Sequence, residues 1–282
     1  MKKQITPQFR VMLAYLCFGL LWIYLSDRVL AAVIASPALL TFAQNVKGWA
    51  FIGITAALLY VWVKRDFDAL DRANRELLES YEQTIFAWAH LLDLRHKETK
   101  THTDRVARMT VELARKVGIT DQEALRNIER GAILHDIGKI GIPDAILLKP
   151  DKLDEKEWIL MKKHPTLGHE LLAKTTFLQP STDIPYYHHE KWNGQGYPRG
   201  LKGDAIPIAA RIFAVIDVWD ALCHPRVYKA AWPEEKALAL LREEAGKHFD
   251  PEIVRLFVAH YDEIKAAALN GKAAEPTASK PA

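Results

Sequence analysis

His188 and His189 stand side by side in "HHEKWNGQGYPRG" (residues 188–200), directly before a turn rich in glycine and proline. A third histidine sits beside a carboxylate in "ILHDIGK", which places His135 next to Asp136 with Lys139 following. Lys139 is at i+4 from the histidine and i+3 from the aspartate, spacings that predict convergence on one side of a helix. Glu98 and His102 form another i, i+4 pair, and two side chains of one helix at that spacing reach the same cation. His164 in "KKHPTLG" and Asp217 in "ARIFAVIDVWDAL" extend the set. Asp217 lies in a strongly apolar helix, where a lone carboxylate is costly unless a metal ion or a packed arginine compensates. Asp220, one turn later, reads as structural, and His90, His96, His169, His224, His248 and His260 read as ordinary polar residues.

Together His102, His135, His164, His188, His189, Asp136, Asp217 and Glu98 are a borderline-hard nitrogen and oxygen donor set. Such a set suits iron, manganese or zinc held without thiolates. Cys17 and Cys223 are far apart and share no motif, so neither a thiolate cluster nor a disulfide framework is expected.

The chain that must position these groups has 282 residues, 49% hydrophobic and 26% charged, which excludes disorder over most of its length. A net charge of +3 gives no field for a nucleic-acid duplex as partner. "VMLAYLCFGLLWIYL" (residues 11–25) and "GWAFIGITAALLYVWV" (residues 48–63) carry no charge, and neutral flanks extend both toward the ~20 residues that cross a bilayer. Basic residues precede the first run (Lys2, Lys3, Arg10) and follow the second (Lys64, Arg65), which puts both termini in the cytoplasm around an outer loop near residues 26–45. A cleaved signal peptide before a single anchor is the rival reading, and it leaves the remainder cytoplasmic too.

Beyond residue 63 the pattern is helical. Phe67, Leu70, Asn74, Leu77, Tyr81, Thr84 and Trp88 alternate spacings of three and four, a heptad seam with Asn74 at an a position. That predicts a homodimer through a linker helix; the alternative is an amphipathic helix packed on its own domain. Thr120 with Glu123 and Asp154 with Glu157 read as capping boxes. Pro165, Pro207, Pro233 and Pro251 fall where first helical turns would begin, and Gly246 where a helix would end. No alternating pattern long enough for a strand occurs. The fold class expected is all-α: a two-helix transmembrane region (residues 1–66), a helical linker (67–85), a helical metallohydrolase domain (86–267) and a disordered tail (268–282).

"HDIGKIGIPD" followed by "HHEKWNGQGYPRGLKGDAIPIAARIFAVIDVWDAL" resembles the HD-GYP family of bacterial phosphodiesterases, a branch of the HD metal-dependent phosphohydrolases. The resemblance runs from about Glu98 to Ile264. It implies an all-helical fold, two or three divalent ions (iron or manganese) and hydrolysis of cyclic di-GMP to linear pGpG, in some members on to GMP. His135, Asp136, His164, His188, His189 and Asp217 match the family's ligand positions, with Asp136 as the bridging carboxylate. Glu98 and His102 match positions that supply a third metal. Lys139 matches a lysine on the scissile phosphate, and Arg226 and Lys229 match two basic residues that grip substrate phosphates. Tyr197 belongs to the loop bordering the pocket.

Departures from the family pattern are Asn193 in place of a frequent aspartate, Lys100 and Thr101 in place of a glycine pair, and the unusual "CHPRVYK" around Arg226. None replaces a ligand. "LWIYLSD" with "KGWAFIGITAALLYVWVKR" is similar to a two-helix membrane region found before bacterial signalling domains, which implies the bacterial inner membrane with the catalytic domain in the cytoplasm. Two alternatives stay open beside the cyclic di-GMP enzyme: a non-catalytic receptor for the nucleotide, and a hydrolase of another nucleotide such as cyclic GMP-AMP.

Overall fold

The computed structural model describes residues 7–96, 100–225 and 230–269. Glu98, Arg226, Lys229 and the tail from residue 270 therefore lie outside the described residues. The chain divides into two compact units, residues 1–78 and 79–282. Every regular element among the described residues is helical, as the residue pattern predicted, and extended pairing is limited to two isolated bridges, Asn193 with Lys202 and Ala245 with Phe249.

In the first unit, α1 (Pro7–Val33) is followed after three residues by α2 (Pro37–His96). The break is much shorter than the loop expected around residues 26–45. Pro37 explains its position, because a proline in the first helical turn gives up an N–H that has no intrahelical partner there. Both helices are long and apolar enough to cross a membrane. Leu20, Leu21, Trp49 and Tyr60 are exposed, while Phe18 and Phe51 stack at 6.0 Å and Lys47 pairs with Asp27.

The second unit begins within α2, whose Ile85, Ala89 and Leu92 are buried at helical spacing. Next come α3 (Lys100–Val117) and α4 (Gln122–Ile133), a 3-10 segment (Ile137–Gly141), then α5 (Asp144–Leu147), α6 (Glu155–Met161), α7 (His164–Leu172) and α8 (Asp183–Tyr187). The unit closes with α9 (Ile208–Cys223), α10 (Glu234–Glu243), α11 (Pro251–Ala259) and α12 (Tyr261–Leu269). Helix α9 is buried nearly all round: Ile212, Phe213, Val215, Ile216 and Trp219 pack with Met109 and Leu113 of α3 and Phe257 of α11. Burying each such side chain stabilises the fold by roughly 1.5–3 kcal/mol. Helices α3 and α9 thus form a rigid pair from which the site is built.

The caps correct one expectation. Asp121, not Thr120, caps α4, its carboxylate accepting the Ala124 N–H at 2.7 Å. Glu123 turns instead to Arg126 and Arg130. The box between Asp154 and Glu157 forms as predicted. Pro165 and Pro251 sit in first helical turns, whereas Pro207 and Pro233 stand one residue earlier, at the caps.

Candidate metal centre

His135 and Asp136 do not lie on a helix. Helix α4 ends at Ile133, and the pair occupies the turn into the 3-10 segment, so the expected helical face is corrected to a tighter geometry. In a 3-10 turn residues i and i+3 eclipse. Lys139 accordingly falls over Asp136, with Nζ 2.6 Å from Oδ2. Gly138 shows why the segment is wound this way. A Cβ there would lie 1.8 Å from the His164 carbonyl oxygen and 2.5 Å from the Gly168 nitrogen, so the backbone presses directly on α7. That contact carries His164 to Asp136.

The histidines are held by their inner nitrogens. Nδ1 of His135, His164 and His188 lies 2.8, 2.8 and 2.9 Å from the carbonyl oxygens of Ala132, Met161 and Ile184. His102 makes the equivalent contact through Nδ1 to Asp220 Oδ2 at 2.7 Å. An Nδ1–H donated to an acceptor fixes the tautomer and orients Nε2 as a ligand atom. All four rings are buried.

Two ligand sets result: His164, His188 and His189 in one, His102, His135 and Asp217 in the other, each with donor atoms within 4.8 Å of one another. Asp136 lies between them. Its Oδ1 is 3.3 Å from His164 Nε2 and 3.9 Å from His188 Nε2, and its Oδ2 is 3.1 Å from His135 Nε2. In the second set His102 Nε2 stands 3.8 Å from Asp217 Oδ1. This donor chemistry, imidazole and carboxylate without sulfur, fits divalent ions of the first transition row. His102, His135, Asp136, His164, His188, His189 and Asp217 are thus brought together, and Glu98 lies outside the described residues.

Charge follows from the enclosure. Burial pushes the Asp136 carboxyl up, but Lys139, His135 and His164 outweigh it and hold the group well below the usual carboxylate range. Burial also opposes a charged His135, yet Asp136 and Asp217 bring it to about 9. Burial and neighbouring imidazoles depress His188 strongly and His189 to about 3, and burial lowers His164. Those three present neutral rings, the form that binds a cation.

Two supporting residues, Asp220 and Glu190, were not singled out as functional by type or spacing. Asp220 is buried and receives His102, His224 and a two-pronged contact from Arg105. Glu190, next to the histidine pair, is buried and accepts the backbone N–H groups of Arg199 at 2.7 Å and Leu201 at 3.0 Å. It ties down the loop carrying Tyr197, whose ring stacks on His189 at 4.7 Å while Lys162 lies 5.5 Å from the Tyr197 ring centre. The signal for Glu190 was its adjacency to the two histidines.

An all-helical domain carrying two histidine-containing sets that flank one aspartate is an arrangement of the His-Asp type. The pattern of the HD-domain family matches residues 87–253, and the chain belongs to that family. It is 38% identical over 245 residues to the 3'3'-cGAMP-specific phosphodiesterase 2 of Vibrio cholerae serotype O1, covering 80% of this chain and 46% of that protein. It is 37% identical to a cyclic di-GMP phosphodiesterase of the same organism over 73% of this chain and 44% of the relative. It is 44% identical to the cyclic di-GMP phosphodiesterase response regulator RpfG of Xanthomonas campestris pv. campestris, over 64% of this chain and 48% of the relative. The chain spans less than half the length of these three curated relatives.

Proposed function

We propose that the chain is a membrane-anchored, metal-dependent phosphodiesterase of the HD-GYP kind that hydrolyses cyclic di-GMP to linear pGpG or GMP. The observation that carries this reading is Asp136 between two ligand sets, one oxygen turned to His164 and His188 and the other to His135. Two relatives named as cyclic di-GMP phosphodiesterases support the substrate. A second reading, hydrolysis of cyclic GMP-AMP, is favoured by the relative named for that nucleotide.

In this reading His164, His188 and His189 would hold one ion and His102, His135 and Asp217 another, with Asp136 between them. His102, matched with Glu98 to a third ion by the family pattern, groups instead with His135 and Asp217. Glu98 is assigned to a third. Iron or manganese suits the donors. When bound, such ions lower the pKa of water and polarise phosphoryl oxygens. The chain supplies the rest. The Lys139 ammonium, beside Asp136, is a compact point charge placed to offset charge gathering on the phosphate. Arg226 and Lys229 are assigned to the flanking phosphates. Tyr197, packed on His189 and fixed by the Glu190-bound loop, forms one wall.

The apolar α1 and early α2 support an anchor in the bacterial inner membrane with the catalytic domain in the cytoplasm. The boundaries we assign are residues 1–66 for the membrane region, 67–85 for the linker and 86–267 for the phosphodiesterase domain. Phe67, Leu70, Leu77 and Tyr81 are exposed along α2, which supports a homodimer through that seam.

The test uses the full chain in detergent, purified without oxygen and loaded with iron or manganese. It is incubated separately with cyclic di-GMP and cyclic GMP-AMP, and products are separated by chromatography. Linear dinucleotide or GMP that disappears on chelation and in Asp136→Ala is the expected result. No product from either nucleotide at full metal loading would end the proposal.

A further inference from the structure

Arg95, in the last turn of α2, spends its guanidinium on one short stretch of backbone. Its Nη1 donates to the carbonyl oxygens of Lys139 (3.3 Å) and Ile140 (3.1 Å), and Nη2 donates to that of Ile142 (3.0 Å). Nε and Nη2 also donate to Asp144 Oδ1, at 2.9 and 2.6 Å. The ion pair alone contributes little, since Asp144 is 67% exposed. The carbonyl contacts have another consequence. They grip the 3-10 segment whose eclipsed turn sets Lys139 over Asp136, and only a planar fork of donors reaches three carbonyls and a carboxylate at once.

The same end of α2 is tied to the second ligand set. Buried Asp93 accepts the Thr103 hydroxyl at 2.9 Å, and Thr103 adjoins His102 on α3. One helical turn therefore contacts Thr103, next to His102, and the backbone of residues 139–142, although it contributes no described ligand.

We infer that Arg95 is a positioning residue: it fixes the backbone of residues 139–142, and with it the Lys139 ammonium, so that the last turn of α2 governs turnover. This deepens the phosphodiesterase reading and rests on it for its kinetic consequence. Arg95 itself touches no reacting atom. It acts through the geometry of Lys139.

The experiment compares wild type, Arg95→Ala and Arg95→Lys as full chains in detergent, loaded with manganese. Steady-state kinetics on cyclic di-GMP, metal content, melting temperature and hydrogen–deuterium exchange over residues 137–142 are measured for each. Arg95→Ala is expected to lower kcat by about 10- to 100-fold, the effect of a displacement near 1 Å, with KM within about twofold. Metal content and melting temperature stay at the wild-type values, and exchange accelerates in residues 137–142 alone. Arg95→Lys recovers only part of kcat, because one ammonium cannot reproduce the fork. Millimolar guanidinium recovers part of it in the alanine variant.

Wild-type kcat in Arg95→Ala, or unchanged exchange over residues 137–142, would overturn the inference. So would faster exchange across the whole domain with a fall in melting temperature, which marks a general stabiliser. If wild type hydrolyses no cyclic dinucleotide, the phosphodiesterase reading fails separately. The exchange pattern then still decides whether Arg95 holds this segment.

Discussion

Nδ1 of His102 lies 2.7 Å from Oδ2 of Asp220, and the two side chains are 5% and 2% exposed. The carboxylate is held from the far side by Arg105 and from one turn along by His224. Burial alone would raise its pKa, but these three partners hold it far below the usual range, so it stays charged. A permanently charged acceptor on Nδ1 keeps the His102 Nε2 in its ligand orientation toward Asp217.

Asp220→Asn removes that charge at nearly constant volume. The expected outcome is a metal affinity lower by about 10- to 100-fold at one site, read by titration against a competing chelator. Asp220→Ala also strands the Arg105 guanidinium and costs about 3 kcal/mol in unfolding free energy. Wild-type metal affinity in the asparagine variant would remove Asp220 from the supporting shell.

Gly138→Ala tests the contact between the 3-10 segment and α7. An added methyl would meet the His164 carbonyl oxygen at 1.8 Å, and neither backbone can yield without moving Asp136 or His164. Overpacking of this kind costs about 1–3 kcal/mol. The melting temperature should fall, and one ion should be lost from the His164, His188 and His189 set while the other set keeps its ion. A variant with wild-type melting temperature and metal content would show that the approach is looser than 1.8 Å implies.

The histidines and aspartates that converge in the candidate site stand out in the sequence because their types are unusual in combination, even at separations of tens of residues. The all-helical class was legible from periodicity and from the absence of alternation. The geometry at His135 and Asp136 was not. Spacing of three and four reads as an α-helix, whereas the backbone of α7 behind Gly138 forces a 3-10 turn, and no local pattern records a neighbour 26 residues away. Asp220 reads as structural in the sequence and stands outside both histidine sets, but its partner was not legible. Its partner His102 is 118 residues distant, so an acid in an apolar helix signals that some partner exists without naming it. The cap of α4 moved by one residue because Thr120 and Asp121 are both competent caps and only the chain path chooses.

Glu190→Gln should loosen the Tyr197 loop. Both carboxylate oxygens accept backbone N–H groups, from Arg199 and Leu201. A glutamine offers one oxygen and turns an NH2 toward the other N–H, leaving a buried donor unsatisfied at a cost of about 1–3 kcal/mol. With the wall of the pocket displaced, KM for the cyclic dinucleotide should rise about tenfold or more while kcat changes less. A parallel fall in kcat with KM unchanged would place the effect of Glu190 on the metal ligands beside it.

His248 gives a pH dependence away from the metal centre. Its ring stacks on Phe249 at 4.2 Å, and its carbonyl oxygen accepts the Trp192 N–H, fastening the 188–200 loop to the chain before α11. Burial, aided by Lys191 and opposed by Glu244, lowers the pKa to about 4. The unfolded chain titrates near 6.5. Between those values the unfolded state binds more protons, so the contribution is complete above pH 6.5 and is lost as pH falls through 4. After allowance for partial solvent screening, wild type should lose about 1–2 kcal/mol more than His248→Asn between pH 7 and pH 4. Denaturant unfolding of both proteins across that range measures the difference, in which the shared titration of the metal-site histidines cancels. Parallel pH curves would mean that the ring is solvated enough to titrate normally.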